Sequence, residues 1–160
     1  YGYGSTVRVY HSAVEGIAAQ ASMTTATGIH LASCDGIIVG NVVGTLTGST
    51  RYGINSLTPI AEDRQYNATT DTTGGSNSQD DITPANEFAD TSPATLDLHM
   101  KAGGQCDGNG LNLIAAGYSN APTEDCDDDA RPVSGTWSIG IDHHPAVPTT
   151  LILPVIQIAI

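Results

Sequence analysis

The densest group of potential metal ligands is an acidic segment in the last third of the chain, Glu124-Asp-Cys-Asp-Asp-Asp129. Carboxylate oxygens are the ligands that hard cations such as Ca²⁺ prefer, and loops of this kind supply several of them. Asp125, Asp127 and Asp129 are the candidate ligands, because alternate residues can point to one side. The spacing is not that of a helix-loop-helix calcium site, so a solvated turn with an Arg131–carboxylate pair is the other interpretation. The sequence demands no cofactor, and Ca²⁺ is the ion it suggests.

The other groups with metal-binding chemistry give weaker patterns. His143 and His144 are adjacent, and adjacent side chains of an extended chain point to opposite faces, so they share one ion poorly. His30 and His99 alternate with apolar neighbours and are expected to point outward. The three cysteines lack metal-ligand spacing. Cys106 and Cys126 flank a loop with turn signals, which favours a disulfide between them in a secreted protein.

Composition excludes several classes of function. The chain has 160 residues, 17 acids and five bases, for a net charge of −12. This charge excludes binding to nucleic acid and to an anionic membrane surface, because too few cations are present to neutralise phosphates. No apolar stretch approaches the roughly 20 residues of a membrane span. The length fits one domain.

The elements that must position these residues begin with an internal repeat over residues 1–70. Three short β-branched segments, broken by Gly and Asn, place Val7, Ile29 and Ile54 at similar intervals along the chain. Such a rhythm is typical of a parallel β-solenoid, in which equivalent residues of successive coils stack. Val7, Ile29 and Ile54 would form one column, and Val9, Leu31 and Ser56 the next. An irregular β-sandwich is the alternative.

The remainder of the chain has less regular patterning. Residues 60–97 read as a long polar loop with Phe88 as an isolated anchor. Trp137 and Ile139 alternate with Ser138 and are expected to face the core. The fold prediction is therefore all-β, within a single domain: coils over residues 1–70, a loop-rich acidic closing region over 71–148, and an apolar terminal strand over 149–160.

Several motifs, taken in order, carry a family resemblance. They are Glu87-Phe-Ala-Asp90, Leu96-Asp-Leu-His-Met-Lys-Ala-Gly103, Asp107-Gly-Asn-Gly110, Asp127-Asp-Asp-Ala-Arg-Pro132 and Trp137-Ser-Ile-Gly140. Their order resembles the C-terminal part of secreted bacterial and phage right-handed parallel β-helix proteins of the pectate-lyase-like class. Ala130 stands where that group usually has Gly, and Ile141-Asp-His-His144 replaces its usual ending.

The resemblance implies a fold, a right-handed parallel β-solenoid, and an extracellular, cell-surface or virion location. It implies no activity, because this part of such proteins is a non-catalytic closing region. Enzymes of this fold carry their acids on the outer face of a parallel sheet. Glu15 and Asp35 do not fall at equivalent coil positions, so no catalytic residue is predicted.

The function predicted from the sequence is a non-enzymatic structural or adhesive module, a self-assembling subunit of a filament, fibre or virion surface. Tyr1 enters the strand pattern directly, so we expect the first coil to be covered by another domain, another subunit or further sequence. The apolar end would either cover its own domain or pair with another copy through Leu151, Ile152, Val155, Ile156 and Ile158. The alternative is a carbohydrate-binding or polysaccharide-degrading module, resembling a tailspike or lyase.

Overall fold

The protein is nearly all β in a computed structural model, which describes residues 6–18, 24–32, 35–57, 62–92 and 94–143. The all-β prediction is confirmed. One four-residue helix, α1 (Pro84–Glu87), interrupts the strands of the described ranges, and none of their helices is long and apolar enough to cross a membrane. The strands are β1 (Thr6–Tyr10), β2 (Ala13–Val14), β3 (Ile17–Ala18), β4 (Thr25–Ala32), β5 (Asp35–Val39), β6 (Val42–Val43), β7 (Leu46–Thr47), β8 (Thr50–Leu57), β9 (Glu62–Gln65), β10 (Ala68–Thr69), β11 (Phe88–Asp90) and β12 (Asp97–Met100).

The first ten strands pair in parallel, in four small sheets. The sheet orders are β1-β5-β9, β2-β6-β10, β3-β7 and β4-β8. Thr6 pairs with Asp35, Ala13 with Val42 and Ile17 with Leu46, so three successive strands meet their partners at one and the same sequence offset. The next repeat is slightly shorter, because Gly36 pairs with Glu62 and Val42 with Ala68.

Both predicted columns are partly confirmed, and the register of the first strand is wrong. Ile29 pairs with Ile54 and Leu31 with Ser56, as expected. Val7 pairs with Gly36 instead of Ile29, and Val9 with Ile38 instead of Leu31. All the apolar members nevertheless contribute to one cluster, in which Ile29, Leu31, Ile38 and Ile54 are buried and Val7 and Val9 pack against them. Hydrophobic spacing alone confused two different strands of one repeat, because both present β-branched residues to the same core.

An amide ladder is formed by Asn41 and Asn67, which follow β5 and β9, and it extends to the backbone of Ser12, which follows β1. Asn41 and Asn67 are fully buried. The Asn67 Oδ1 atom accepts from the backbone N–H and the side-chain amide of Asn41, each at 3.0 Å, and Asn41 Oδ1 accepts from the Ser12 N–H at 3.0 Å. The Asn67 amide donates to the Ile38 and Gly74 carbonyls. This ladder satisfies backbone groups at a buried bend, where they would otherwise lack partners.

The chain bends before Ser12, Asn41, Asn67 and Ser78, and the preceding residue has left-handed backbone in each case. His11 (φ 40°), Gly40 (φ 77°), Tyr66 (φ 52°) and Asn77 (φ 54°) all adopt it. Gly and Asn enter this region at small steric cost, whereas His and Tyr carry strain there. The backbone conformation of the bend therefore recurs, although the residue type at this position does not.

The described residues between 60 and 97 form more regular structure than the predicted polar loop. They contain β9, β10, α1 and β11, and Phe88 is fully buried beside Met100 and Ile139. The polar composition suggested a loop, but many of these polar side chains bind backbone groups in the asparagine ladder and at the edge of the sheets.

β11 and β12 pair antiparallel, Phe88 with Met100. Trp137 and Ile139 are fully buried as predicted, and so is Ser138.

The closing region contacts the parallel strands at several buried positions, one of which lies around Gly140. The Gly140 N–H donates to the Gly40 carbonyl at 2.7 Å, and the Gly140 carbonyl accepts from His11 Nδ1 at 3.2 Å. The His11 ring meets Trp137 edge-on, with ring centroids 5.0 Å apart. The predicted terminal strand over 149–160, with Leu151, Ile152, Val155, Ile156 and Ile158, lies outside the described residues, as do Cys34 and His144.

Candidate functional site

The acidic loop is a turn organised around Asp125. Its Oδ1 atom accepts from the backbone N–H of Asp127 at 3.0 Å and of Asp129 at 3.1 Å, and the Asp125 N–H donates to the Asp129 carbonyl. Asp128 closes the turn with φ 63°. One of the three predicted calcium ligands therefore binds its own loop. The calcium site at Asp125, Asp127 and Asp129 stays a prediction.

Arg131 stabilises this loop through carbonyl groups, which corrects the expected carboxylate pair. It is 4% exposed and donates to the carbonyls of Glu124, Gly140 and Ile141. Its guanidinium lies 5.1 Å from the centroid of the Trp137 ring, a cation–π distance. Burial lowers the Arg131 pKa, and the charges of Asp125 and Asp142 oppose this shift. Carbonyl acceptors suit a buried guanidinium because they fix its plane without burying a second charge.

A cluster that the sequence did not predict lies where the acidic loop meets β12. His99 projects outward as expected and hydrogen bonds through Nε2 to Asp127 Oδ1 at 2.9 Å, while its Nδ1 contacts Asp97. Cys126 is the third member, since one ligand atom from each of His99, Cys126 and Asp127 lies within 4.8 Å of the others. The hydrogen bonds that the ring makes to the carboxylates of Asp127 and Asp97 raise the pKa of His99 to about 9. His99 and Cys126 are distant in the sequence, so no spacing rule connects them.

The predicted disulfide between Cys106 and Cys126 is wrong, because both thiols are free. Cys106 is fully buried in the cluster that contains Phe88 and Ile139, with its N–H donating to Glu87 Oε2 at 2.8 Å. Burial, reinforced by Glu87, raises the pKa of its thiol, so it stays protonated. Cys126 is exposed on the acidic loop. The turn residues between the two cysteines indicate a loop, but they do not determine the directions in which the two cysteine side chains project.

A groove on the β1-β5-β9 sheet collects carboxylates from two neighbouring strands. Its volume is about 320 Å³, and it is lined by Thr6, Asp35, Gly36, Ile37, Glu62 and Asp63. Glu62 pairs with Arg64, and Asp63 accepts a 2.6 Å hydrogen bond from Tyr118. Glu15 is not part of this groove, since its carboxylate accepts from the Thr45 N–H at 2.9 Å. The structure therefore places Asp35, one of the acids considered for catalysis, beside Asp63 and not beside Glu15.

The two edges of the parallel sheets differ. At the later edge, side chains occupy the backbone donors of β8: Asp71 Oδ2 accepts from Gly53 N–H at 2.7 Å, and Thr73 Oγ1 from Ile54 N–H at 2.8 Å. Ser76 and Gln79 bridge to β9 and β10. At the earlier edge, β1, β2, β3 and β4 are each the last strand of their sheet within the described ranges. Among the described residues, parts of the later edge on β8, β9 and β10 are therefore occupied, whereas the earlier edge has no further strand paired with it.

Comparison of the chain with protein-family models, with curated proteins and with solved structures returns no match in any of the three. The resemblance to the pectate-lyase-like β-helix class stays a prediction. So do the extracellular location and the three-part division at residues 70 and 148.

Proposed function

We propose that residues 6–79 wind as a right-handed parallel β-solenoid, and that the protein is a non-enzymatic extracellular structural or adhesive module that assembles with other copies of itself. The constant sequence offset from β1, β2 and β3 to their partners supports the solenoid, because the chain makes one circuit between them. Right-handed connection follows from the strong preference of parallel crossovers for that hand.

The available edge of β1 to β4 is the observation that carries the functional proposal. Four strands present their outer backbone groups at this edge, and within the described residues no further strand pairs with them on that side. Such an edge is a template for a further strand. The later edge of a second copy is less suited to this contact, since Asp71 and Thr73 already bind the N–H groups of Gly53 and Ile54 there.

The apolar terminal segment of a second copy is the proposed partner of the earlier edge. Leu151, Ile152, Val155, Ile156 and Ile158 offer the β-branched and aliphatic side chains that pack on a sheet. The contact joins two different surfaces, so it propagates from copy to copy and gives a filament or fibre. A virion or cell surface is the proposed setting.

Deletion of residues 150–160 tests the assembly proposal. The full chain is expected to form oligomers whose mass rises with concentration in light scattering, and the deleted chain to remain a soluble monomer. A chain with residues 150–160 replaced by a Gly/Ser segment of equal length is the matched control and should also be monomeric. Assembly that continues in both variants contradicts the proposal.

A carbohydrate-binding or polysaccharide-degrading module is the second candidate, and the carboxylate-lined groove favours it. Asp35 and Asp63 lie on adjacent parallel strands, where acids could bind or cleave a glycan. A glycan array with a turnover assay separates the candidates. Specific binding or cleavage that Asp35→Asn abolishes, from a protein that does not polymerise, supports the glycan module and contradicts the structural one.

A further inference from the structure

The cluster of His99, Cys126 and Asp127 combines one nitrogen, one sulfur and one oxygen donor on the surface of the closing region. Their ligand atoms lie within 4.8 Å of one another, and all three residues are exposed. In a tetrahedral site with metal–ligand bonds of about 2.0–2.3 Å, two ligand atoms lie about 3.5 Å apart. The observed separations therefore need only side-chain adjustments to surround one ion.

Asp97 holds the His99 ring in the orientation that a metal ligand needs. Its Oδ1 atom contacts His99 Nδ1 and also accepts from the His99 backbone N–H at 3.1 Å. A carboxylate on Nδ1 keeps a proton on that atom, so Nε2, which faces Asp127 and Cys126, is the ring nitrogen that would bind a metal. Carboxylate–histidine pairs of this kind are the usual outer support of zinc ligands.

The turn of the acidic loop brings two adjacent residues to the same side. In an extended chain, Cys126 and Asp127 would point to opposite faces. Here the Cys126 N–H donates to the Ile141 carbonyl at 3.1 Å, the Asp127 N–H to Asp125 Oδ1, and Asp128 has left-handed backbone. These contacts fix the backbone on both sides of the pair, so the two ligands belong to a built loop and not to a loose tail.

We propose that His99, Cys126 and Asp127 form a binding site for a Zn²⁺-type borderline cation, oriented by Asp97 and with one coordination position left for water or an external ligand. The mixed donor set suits zinc, because Ca²⁺ takes six to eight oxygen ligands at about 2.3–2.6 Å and does not use thiolate or imidazole. Three protein ligands plus an open position resemble reactive zinc sites more than closed structural ones. The site is independent of the assembly proposed above.

Isothermal titration of the full, chelator-treated and reduced chain with ZnCl₂ tests the site. We expect one Zn²⁺ per chain, and with Co²⁺ a thiolate-to-cobalt charge-transfer band in the near ultraviolet. Cys126→Ser should abolish the band, and Cys126→Ser and His99→Ala should each weaken zinc binding at least tenfold. Asp97→Asn should weaken it by about 10- to 100-fold while the stoichiometry stays at one.

His30→Ala is the matched control, since His30 is also an exposed histidine on a strand, and it should leave the zinc affinity unchanged. Circular dichroism of each variant checks the fold. Zinc binding that survives both Cys126→Ser and His99→Ala, or that His30→Ala weakens equally, overturns the proposal. Calcium that binds in competition with zinc and requires Asp125 and Asp129 overturns it as well, in favour of the all-oxygen site.

Discussion

The parallel strands β1 to β10 and the closing region, of which residues 71–92 and 94–143 are described, are stabilised by different kinds of interaction. In the first region, each strand is hydrogen bonded to the equivalent strand of a neighbouring repeat. Apolar side chains from several strands share one core, and an asparagine ladder links successive bends. The second has one antiparallel strand pair among its described residues. There, single buried side chains such as Glu87, Arg131 and Asp142 bind backbone groups directly. Stability is distributed in the first region and concentrated at few residues in the second.

Trp137→Ala is expected to have the largest effect, because Trp137 joins the two regions. It is fully buried, packs with Val39 and Leu113, contacts His11 and Arg131 through its ring, and donates from Nε1 to the Pro132 carbonyl at 2.8 Å. Truncation should lower the free energy of unfolding by about 3–5 kcal/mol. Urea denaturation measures this, with exposed Val133→Ala as the control. A loss no larger than the control's would mean that the closing region does not depend on this contact.

Asn67→Ala tests whether the ladder matters in a region whose stability is distributed. The change removes the acceptor for two N–H groups of Asn41 and the donors to the Ile38 and Gly74 carbonyls. Leaving such buried groups unpaired should cost about 2–3 kcal/mol. Asn55→Ala, on an adjoining strand and only partly buried, is the control in the same denaturation series. Equal losses of unfolding free energy in the two variants would show that strand pairing stabilises this region without a contribution from the ladder.

The junction between the regions should weaken in acid. Burial, together with the nearby Arg131 charge, lowers the pKa of His11 to about 3. The unfolded chain takes up a proton near its ordinary pKa of about 6.5 and the folded chain does not. Stability is therefore full above that pH and falls as the pH drops toward 3, with a slope approaching about 1.4 kcal/mol per unit.

His11→Asn keeps a residue that tolerates the left-handed backbone at this position but removes the titrating ring. Comparing the free energy of unfolding of both proteins between pH 7 and pH 4.5 isolates the contribution, because most carboxylates titrate below that window. The variant should show a shallower slope over this interval. Parallel curves would contradict the assignment.

Asn77 gives the smallest expected effect and tests the bend that recurs along the parallel strands. It is exposed and has φ 54°, so Asn77→Ala loses stability only through its backbone conformation, by about 1 kcal/mol. Asn77→Gly should be neutral or slightly stabilising, since Gly adopts this conformation freely. Thermal unfolding of the pair measures the difference. Identical melting temperatures would indicate that the bend relaxes.

Some of the architecture could be read from particular residues. The alternation around Ile29 and Ile54 located two strands that do pair, and the isolated aromatic residues Phe88 and Trp137 were correctly expected to be buried anchors. Val7 was assigned to the wrong partner because the first and fourth strands of a repeat contribute to the same core. The Asn67-Ala-Thr segment was read as polar loop, although Asn67 is fully buried in the ladder.

The sequence by itself determined the all-β character, through short β-branched segments separated by Gly and Asn, and it indicated that Ile29, Ile54 and Trp137 are buried. Only the tertiary structure decided that Cys106 and Cys126 project into different environments, that Arg131 binds carbonyls, and that His99 meets Cys126 and Asp127. The physical reason is the sequence separation over which each effect acts. Alternation and turn preference act between near neighbours in the sequence, whereas these contacts depend on how the closing region packs against itself and on the parallel strands.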